Sequence, residues 1–199
     1  MTGSDTDQGA AWMAAWQAGD ESAFEALVRA HADRVHALLT RFLGPVPQRE
    51  DLVQEVFLRV VRARETYVPT ARFTTWLYRI VFNLAANERE KLRLRRTLSL
   101  DASAPGDPDS RGFDPADEDG PDPEADLARL DVVEAVRAAI ESLPERQRMA
   151  LVLAKYEGLS FLEIGEVLGV SEKAVKSTVH RARETLRERL APFVREEVA

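Results

Sequence analysis

The feature that most constrains this chain is a break near its middle. Between Leu98 and Asp126 stand Pro105, Pro108, Pro115, Pro121 and Pro123, interleaved with Gly106, Gly112 and Gly120, and ten acidic residues there face the single Arg111. A stretch of this composition cannot bury enough apolar surface to offset the entropy of ordering it. It reads as a disordered tether, with Phe113 its only aromatic. The residues on either side must be judged separately.

The same stretch explains the charge. The formal net charge is −7, yet the tether alone carries a balance of −9, so the flanks together are slightly positive. The overall acidity does not count against an anionic partner for either flank.

Before the tether, apolar residues recur at helical spacing in three series. The first is Phe24, Leu27, Val28, His31, Val35, Leu38, Leu39 and Phe42, with Ser22 and Glu25 spaced as a capping box and Gly44, Pro45 and Pro47 as its stop. The second is Leu52, Val53, Val56, Phe57, Val60 and Val61, ending near Pro69. The third is Phe73, Trp76, Leu77, Ile80, Val81 and Leu84, with a polar, basic tail to Arg96. A shorter helix is expected around Trp12 and Trp16. Nothing alternates like a half-buried strand.

After the tether the helical pattern resumes with Leu127, Leu130, Val133, Val136 and Ile140. Pro144 suits the first turn of a helix running to Tyr156. Ser160 and Glu163 form a second capping box, opening a short helix that Gly169 breaks. Ser171 then caps a final helix along Val175, Val179, Ala182, Leu186 and Leu190. A short helix, a glycine turn and a longer helix are the parts of a helix-turn-helix. The expected fold class is all-α: two small helical domains joined by a flexible acidic linker, with the helix-turn-helix in the second.

Several function classes drop out. The chain has no Cys, which removes disulfide frameworks and Cys-ligated zinc. No apolar run approaches the roughly 18 residues that a membrane span needs. Met1–Ala10 is polar and acidic, unlike a secretory signal, so the chain is expected in the cytoplasm. His31 and His36 are spaced wrongly to share one helix face as ligands, and no Gly-rich phosphate loop, Gly-x-Ser-x-Gly or His-Glu-x-x-His occurs. No enzyme, cofactor or metal is expected.

The final helix carries the strongest functional pattern. Opposite its apolar stripe lie Lys173, Lys176, Ser177, Thr178, His180, Arg181 and Arg183. A recognition helix needs this division: one side packs on its partner helix, polar residues reach base edges in the major groove, and Lys and Arg meet phosphates. The competing reading is a solvated helix whose Glu184 and Glu188 pair with arginines at i,i+4 spacing. The turn preceding it favours DNA.

Glu50–Arg64 is amphipathic, with Asp51, Gln54, Glu55, Arg59 and Arg62 outside the apolar stripe. On the residues alone this is a solvated face or a protein-docking surface. Thr66–Asn87 combines Tyr67, Phe73, Trp76, Tyr78 and Phe82 with Arg72, Arg79 and Asn83. Unpaired bases stack on aromatics and bond to amides. Phe73, Trp76 and Leu77 are expected in the core, which leaves the loop before them and Asn83 to meet DNA.

Two blocks resemble one family. Phe24–Asn87, with FEALVRAHADRV, EDLVQEVFLRV and FTTWLYRIVFN, resembles the second conserved region of bacterial sigma factors. Leu143–Leu190, LPERQRMALVLAKYEGLSFLEIGEVLGVSEKAVKSTVHRARETLRERL, resembles their fourth. Their order, with only a linker between them, is similar to that of the extracytoplasmic-function (ECF) group. The resemblance implies a region 2 domain over 1–97, a linker over 98–126 and a region 4 domain over 127–199.

It further implies that Asp51, Gln54, Glu55 and Arg59 dock on the clamp helices of the largest subunit of core RNA polymerase. Tyr67, Arg72, Arg79 and Asn83 would read and open the −10 element of promoter DNA. Lys173, Lys176, Ser177, His180, Arg181 and Arg183 would serve the −35 element, while region 4 docks on the polymerase flap. An anti-sigma factor is a typical partner of the group. Ala174 stands where many relatives have Thr, and Phe82 where Arg is common. The alternative is a helix-turn-helix regulator that binds operators without polymerase.

The linker's length adds a geometric expectation. About 29 flexible residues span roughly 30 Å r.m.s. and at most about 100 Å. Promoter elements two helical turns apart lie about 70 Å from each other. The free chain should therefore be more compact than the polymerase-bound one. The acidic linker, beside a basic helix, is also expected to compete with DNA for region 4.

Overall fold

The computed structural model describes residues 7–44, 49–99 and 123–196, all helices and short turns, with no strand among them. The helices are α1 (Gln8–Gln17), α2 (Glu21–Leu43), α3 (Arg49–Arg62), α4 (Phe73–Ser99), α5 (Pro123–Glu141), α6 (Glu145–Tyr156), α7 (Phe161–Leu168) and α8 (Glu172–Glu196). The all-α expectation holds. Most of the acidic stretch, 100–122, lies outside the described residues, and so do its expected disorder and its competition with DNA. Helix reaches into that stretch at both ends, through Ser99 in α4 and from Pro123 in α5. Proline suits the first turn of α5, where a missing N–H costs nothing.

Helices α1 to α4 pack as a bundle around Leu27, Val35, Leu38, Val56, Val60, Leu77 and Val81, all fully buried. The start of α2 differs from the sequence reading. Asp20, not Ser22, caps α2, its carboxylate accepting from the Ser22 amide and hydroxyl. An aspartate one residue before the helix reaches those donors directly. Asp7 caps two helices at once. One oxygen accepts from the Ala10 amide at 3.2 Å, in the first turn of α1, and the other from the Phe73 amide at 2.6 Å, where α4 begins. Gly9 allows this closeness, because a Cβ there would sit 2.3 Å from Cδ1 of Phe73. Gly44 ends α2 with φ of 75°, as its position predicted. Val61, expected in the core, is 40% exposed.

In the second half, α7 packs on α8 through Ile164, Val167 and Leu168 against Val175 and Val179, and α6 closes this core with Met149, Val152 and Leu153. The Ser160–Glu163 capping box forms in full. Gly169 takes the left-handed conformation, φ 66°, that lets α7 turn into α8. The Ser171 hydroxyl accepts from the Ala174 amide at 3.3 Å.

The two halves are in contact. α7 lies on α4, and α6 on α2. Arg148, only 2% exposed, spans the join: it donates to the carbonyl of Phe42 at 2.8 Å and to that of Glu141. These acceptors belong to the last turns of α2 and α5, whose carbonyls lack helical partners. Burial, and then the neighbouring Arg89, push the Arg148 guanidinium down to about 10. The Tyr78 hydroxyl donates to Glu157 at 2.5 Å, and Arg34 lies 3.5 Å from the same carboxylate.

Candidate nucleic-acid interface

The helix-turn-helix fixes how α8 presents its side chains. Val175, Val179 and Ala182 are buried, which turns Lys173, Lys176, Ser177, His180, Arg181 and Arg183 outward, all exposed. Glu184 pairs with His180, 3.3 Å away, rather than with an arginine. Arg181 turns its Nε back toward the Ser177 carbonyl at 3.4 Å, a long contact that a base or phosphate would outcompete. Thr178 is half-buried and its hydroxyl donates to the Ala174 carbonyl, so it belongs to the scaffold of the helix. One face of α8 thus offers cations and hydrogen-bond donors at the spacing of one major groove.

The residues expected to meet the −10 element divide. Arg72, Arg79 and Asn83 are exposed along one side of α4 and the turn before it. Tyr67 is not: it is 6% exposed, edge-on to Phe73 and Trp76 at 6.2 and 4.8 Å. From that position its ring holds the loop against the core and cannot stack on a base. Its burial follows from the turn after α3, which folds the loop inward through the Tyr67 amide bonded to the Ala63 carbonyl. The loop also receives Gln17, whose amide donates to the carbonyls of Arg64 and Tyr67. Phe73 and Leu77 are core as expected, while Trp76 is half-buried.

On α3, Asp51 and Gln54 are exposed and Glu55 and Arg59 half-buried. One oxygen of Glu55 accepts from Arg59 at 3.0 Å and from Arg62 at 3.3 Å. The Arg59 hydrogen bond is the main reason its carboxyl is held below the ordinary value. Leu58 and Val61 stand exposed beside this polar group. Apolar side chains next to a pre-arranged ion-pair cluster suit a protein partner better than a nucleic acid.

Sequence reasoning missed Glu163 as more than a cap. It receives the Ser160 amide at 2.8 Å and hydroxyl at 2.7 Å, and it also lies 3.7 Å from Nη1 of Arg72 on the other half. Burial alone would raise its carboxyl, but the Ser160 bonds and Arg72 outweigh it and hold the group below its ordinary value. Only the fold could reveal that Arg72 partnership.

A capped helix-turn-helix with an outward basic helix, joined to a helical bundle with its own polar docking group, defines a DNA-binding transcription protein. Comparison with known proteins narrows the class. Residues 27–95 match the family model for sigma-70 region 2, and residues 133–186 that for sigma-70 region 4. The chain is 34% identical over 172 residues to the ECF RNA polymerase sigma factor SigW of Bacillus subtilis, covering 86% of this chain and 91% of that one. It is 35% identical over 182 residues to the RNA polymerase sigma-H factor of Pseudomonas aeruginosa, covering 90% and 92%. It is 39% identical over 176 residues to SigE of Mycolicibacterium smegmatis, covering 87% and 65%. The solved structure of CnrH in complex with the cytosolic domain of CnrY superposes with a TM-score of 0.67 at 25% identity, covering 94% of this chain and 99% of CnrH. A Bartonella quintana sigma factor solved with the anti-sigma factor NepR shares the fold, with a TM-score of 0.64 at 22% identity over 84% of this chain and 96% of that one. The chain belongs to the ECF group of RNA polymerase sigma factors. Among the described residues no helix is long and apolar enough to cross a membrane.

Proposed function

We propose that this sigma factor divides promoter recognition between its halves, within the boundaries 1–97, 98–126 and 127–199. The second half reads the −35 element through α8. Ser177, His180 and Arg181 face base edges, and Lys173, Lys176 and Arg183 neutralise phosphates. The first half opens and holds the −10 element along Arg72, Arg79 and Asn83, with Tyr67 bracing the loop from within. Asp51, Gln54, Glu55 and Arg59 dock α3 on the clamp helices of core polymerase, with Leu58 and Val61 at the centre of that contact, while region 4 docks on the flap. The protein works in the cytoplasm, beside polymerase, as an initiation factor rather than an enzyme.

The observation that carries this reading is the exposed row of cations and donors on α8, held rigid by the capping box, Gly169 and Ser171. An anti-sigma partner is part of the proposal, since the Bartonella quintana protein of this fold was solved with one.

The test is co-elution of the full chain with core RNA polymerase from a related bacterium, followed by transcription from a promoter library. New start sites sharing one motif at −35 and another at −10 are expected. Operator binding without any association with core polymerase would overturn it.

A further inference from the structure

The loop between α3 and α4, residues 63–72, is held at both ends by α1, a helix that carries none of the residues proposed to read DNA. At the last position of α1, the Gln17 amide donates to the carbonyl of Arg64 at 2.6 Å and to that of Tyr67 at 3.1 Å. Arg64 reaches back toward α1. Its guanidinium lies 4.6 Å from the centre of the Trp16 ring, bonds to Glu21 at 2.9 Å and donates to the Trp16 carbonyl. The Trp16 indole N–H donates to the other Glu21 oxygen at 2.9 Å. Where the loop passes into α4, Asp7, the cap of α1, accepts from the Phe73 amide.

Between these tethers the loop's own backbone offers little. Among the described residues one backbone bond lies wholly within 67–73, from the Thr70 amide to the Val68 carbonyl at 2.8 Å. Tyr67 is buried, whereas Val68 is 65% exposed, and Pro69 and Thr70 are exposed with it. The outward part of the loop is thus a short arch with fixed feet. A segment so sparsely bonded within itself loses entropy at each encounter with a ligand unless something outside it fixes its ends. The ten residues of α1 form a rod about 15 Å long, which does not stretch.

We propose that α1 is the splint of the −10 loop and that Gln17 is its positioning residue, setting which bases the loop accepts without touching DNA. The proposal rests on the −10 role of that loop. The chemistry of the contact makes Gln17 specific. Two carbonyls side by side need a donor with two hydrogens, and the terminal amide of a glutamine supplies both. Asparagine is one methylene shorter, and an ionised glutamate has no hydrogen to give. The Gln17 side chain is exposed, so it adds little to the core and acts on the loop.

Gln17→Met keeps the length and helix propensity of the side chain and removes both donor hydrogens. Ala14→Gly, at an exposed interior position of α1, weakens the helix while leaving both tethers in place. Val68→Ala with Thr70→Ala alters the arch itself. Each full-length variant is assembled with core RNA polymerase from a related bacterium and set to initiate from a promoter library randomised at the −10 and −35 elements. Affinity for core polymerase and melting temperature are measured alongside.

Gln17→Met should flatten base discrimination at the −10 element by about two- to tenfold, the range that one net hydrogen bond corresponds to. Its −35 preferences and its affinity for core polymerase should match the parent. Ala14→Gly should lower the melting temperature and leave the −10 profile as it is in the parent. An unchanged −10 profile for Gln17→Met, or an equal change in Ala14→Gly, would make Gln17 merely structural and overturn the proposal. The arch variant separates the two readings. If it shifts the −10 preference while Gln17→Met does not, the loop reads DNA and the splint alone fails. If neither shifts it, the −10 role of the loop fails and the splint falls with it. A shift from Gln17→Met alone would overturn the splint too, because its effect would then bypass the loop.

Discussion

Asp7 offers the sharpest test of how the first half is held together. Its two carboxylate oxygens serve two helix starts, the Ala10 amide of α1 and the Phe73 amide of α4. Removing an N-cap carboxylate costs about 0.5–2 kcal/mol. A hydrogen bond to a charged acceptor is worth about 1.5–3 kcal/mol. Asp7→Ala should therefore lower stability by about 2–5 kcal/mol, because both amides lose their acceptor. Asp7→Asn keeps one oxygen and remains a good cap, so its loss should be about half as large. All three tryptophans, Trp12, Trp16 and Trp76, lie in this half, so a urea titration followed by fluorescence reads the unit that Asp7 joins. The midpoints should fall in the order parent, Asn, Ala, with an unchanged denaturant slope. A loss below about 0.5 kcal/mol for Asp7→Ala, or an Asn variant as stable as the parent, would refute the double-cap reasoning.

Three further expectations concern other parts of the chain. Gly9→Ala gains about 1 kcal/mol of helix propensity but drives a Cβ to 2.3 Å from the Phe73 ring, and the overlap should leave a net loss of about 1–2 kcal/mol, visible as a lower melting temperature. His31 is buried beside Phe73, 5.1 Å between ring centres, with no hydrogen-bond partner for either nitrogen among the described residues. Burial, and then Arg34, lower its pKa from 6.5 against the opposing pull of Asp7, so the fold accommodates the neutral ring. The unfolded chain takes up the proton first. Stability should therefore fall as pH drops below 6.5, by at most about 1.4 kcal/mol per pH unit, and His31→Leu should flatten that part of a pH–stability profile. For Arg181→Ala, quantitative binding to a −35 library should show a loss of about 1–3 kcal/mol confined to one base pair. A uniform loss would make Arg181 a phosphate contact.

Much of the architecture was legible because apolar spacing and caps are local signals. The stripes of α2, α3 and α4, the Ser160–Glu163 box, the Gly169 turn and the outward row on α8 all follow from residues within a few positions of each other. What escaped was long-range. Asp7 and Phe73 are far apart in sequence, and no pattern around either announces a shared cap. Arg148 reads like any charged residue on an amphipathic helix until two helix ends converge on it. Tyr67 carries an aromatic ring in a loop, which suits either a base or a core, and only the fold of the turn after α3 decides. The contact between the halves was invisible too, since a flexible linker bounds their separation without setting it.

The Arg148 join has a consequence for how this protein tolerates change. Its acceptors are main-chain oxygens of Phe42 and Glu141, and every amino acid supplies such an oxygen. Replacing either side chain leaves the acceptor in place, provided the helix end keeps its course. The constraint falls on one position, where only a long, forked cation reaches both carbonyls. The seam between the halves thus has a lopsided mutational footprint: forgiving on two helices, strict at a single site on a third. A random substitution library should find it so, with position 148 depleted and positions 42 and 141 limited by the packing of their own side chains.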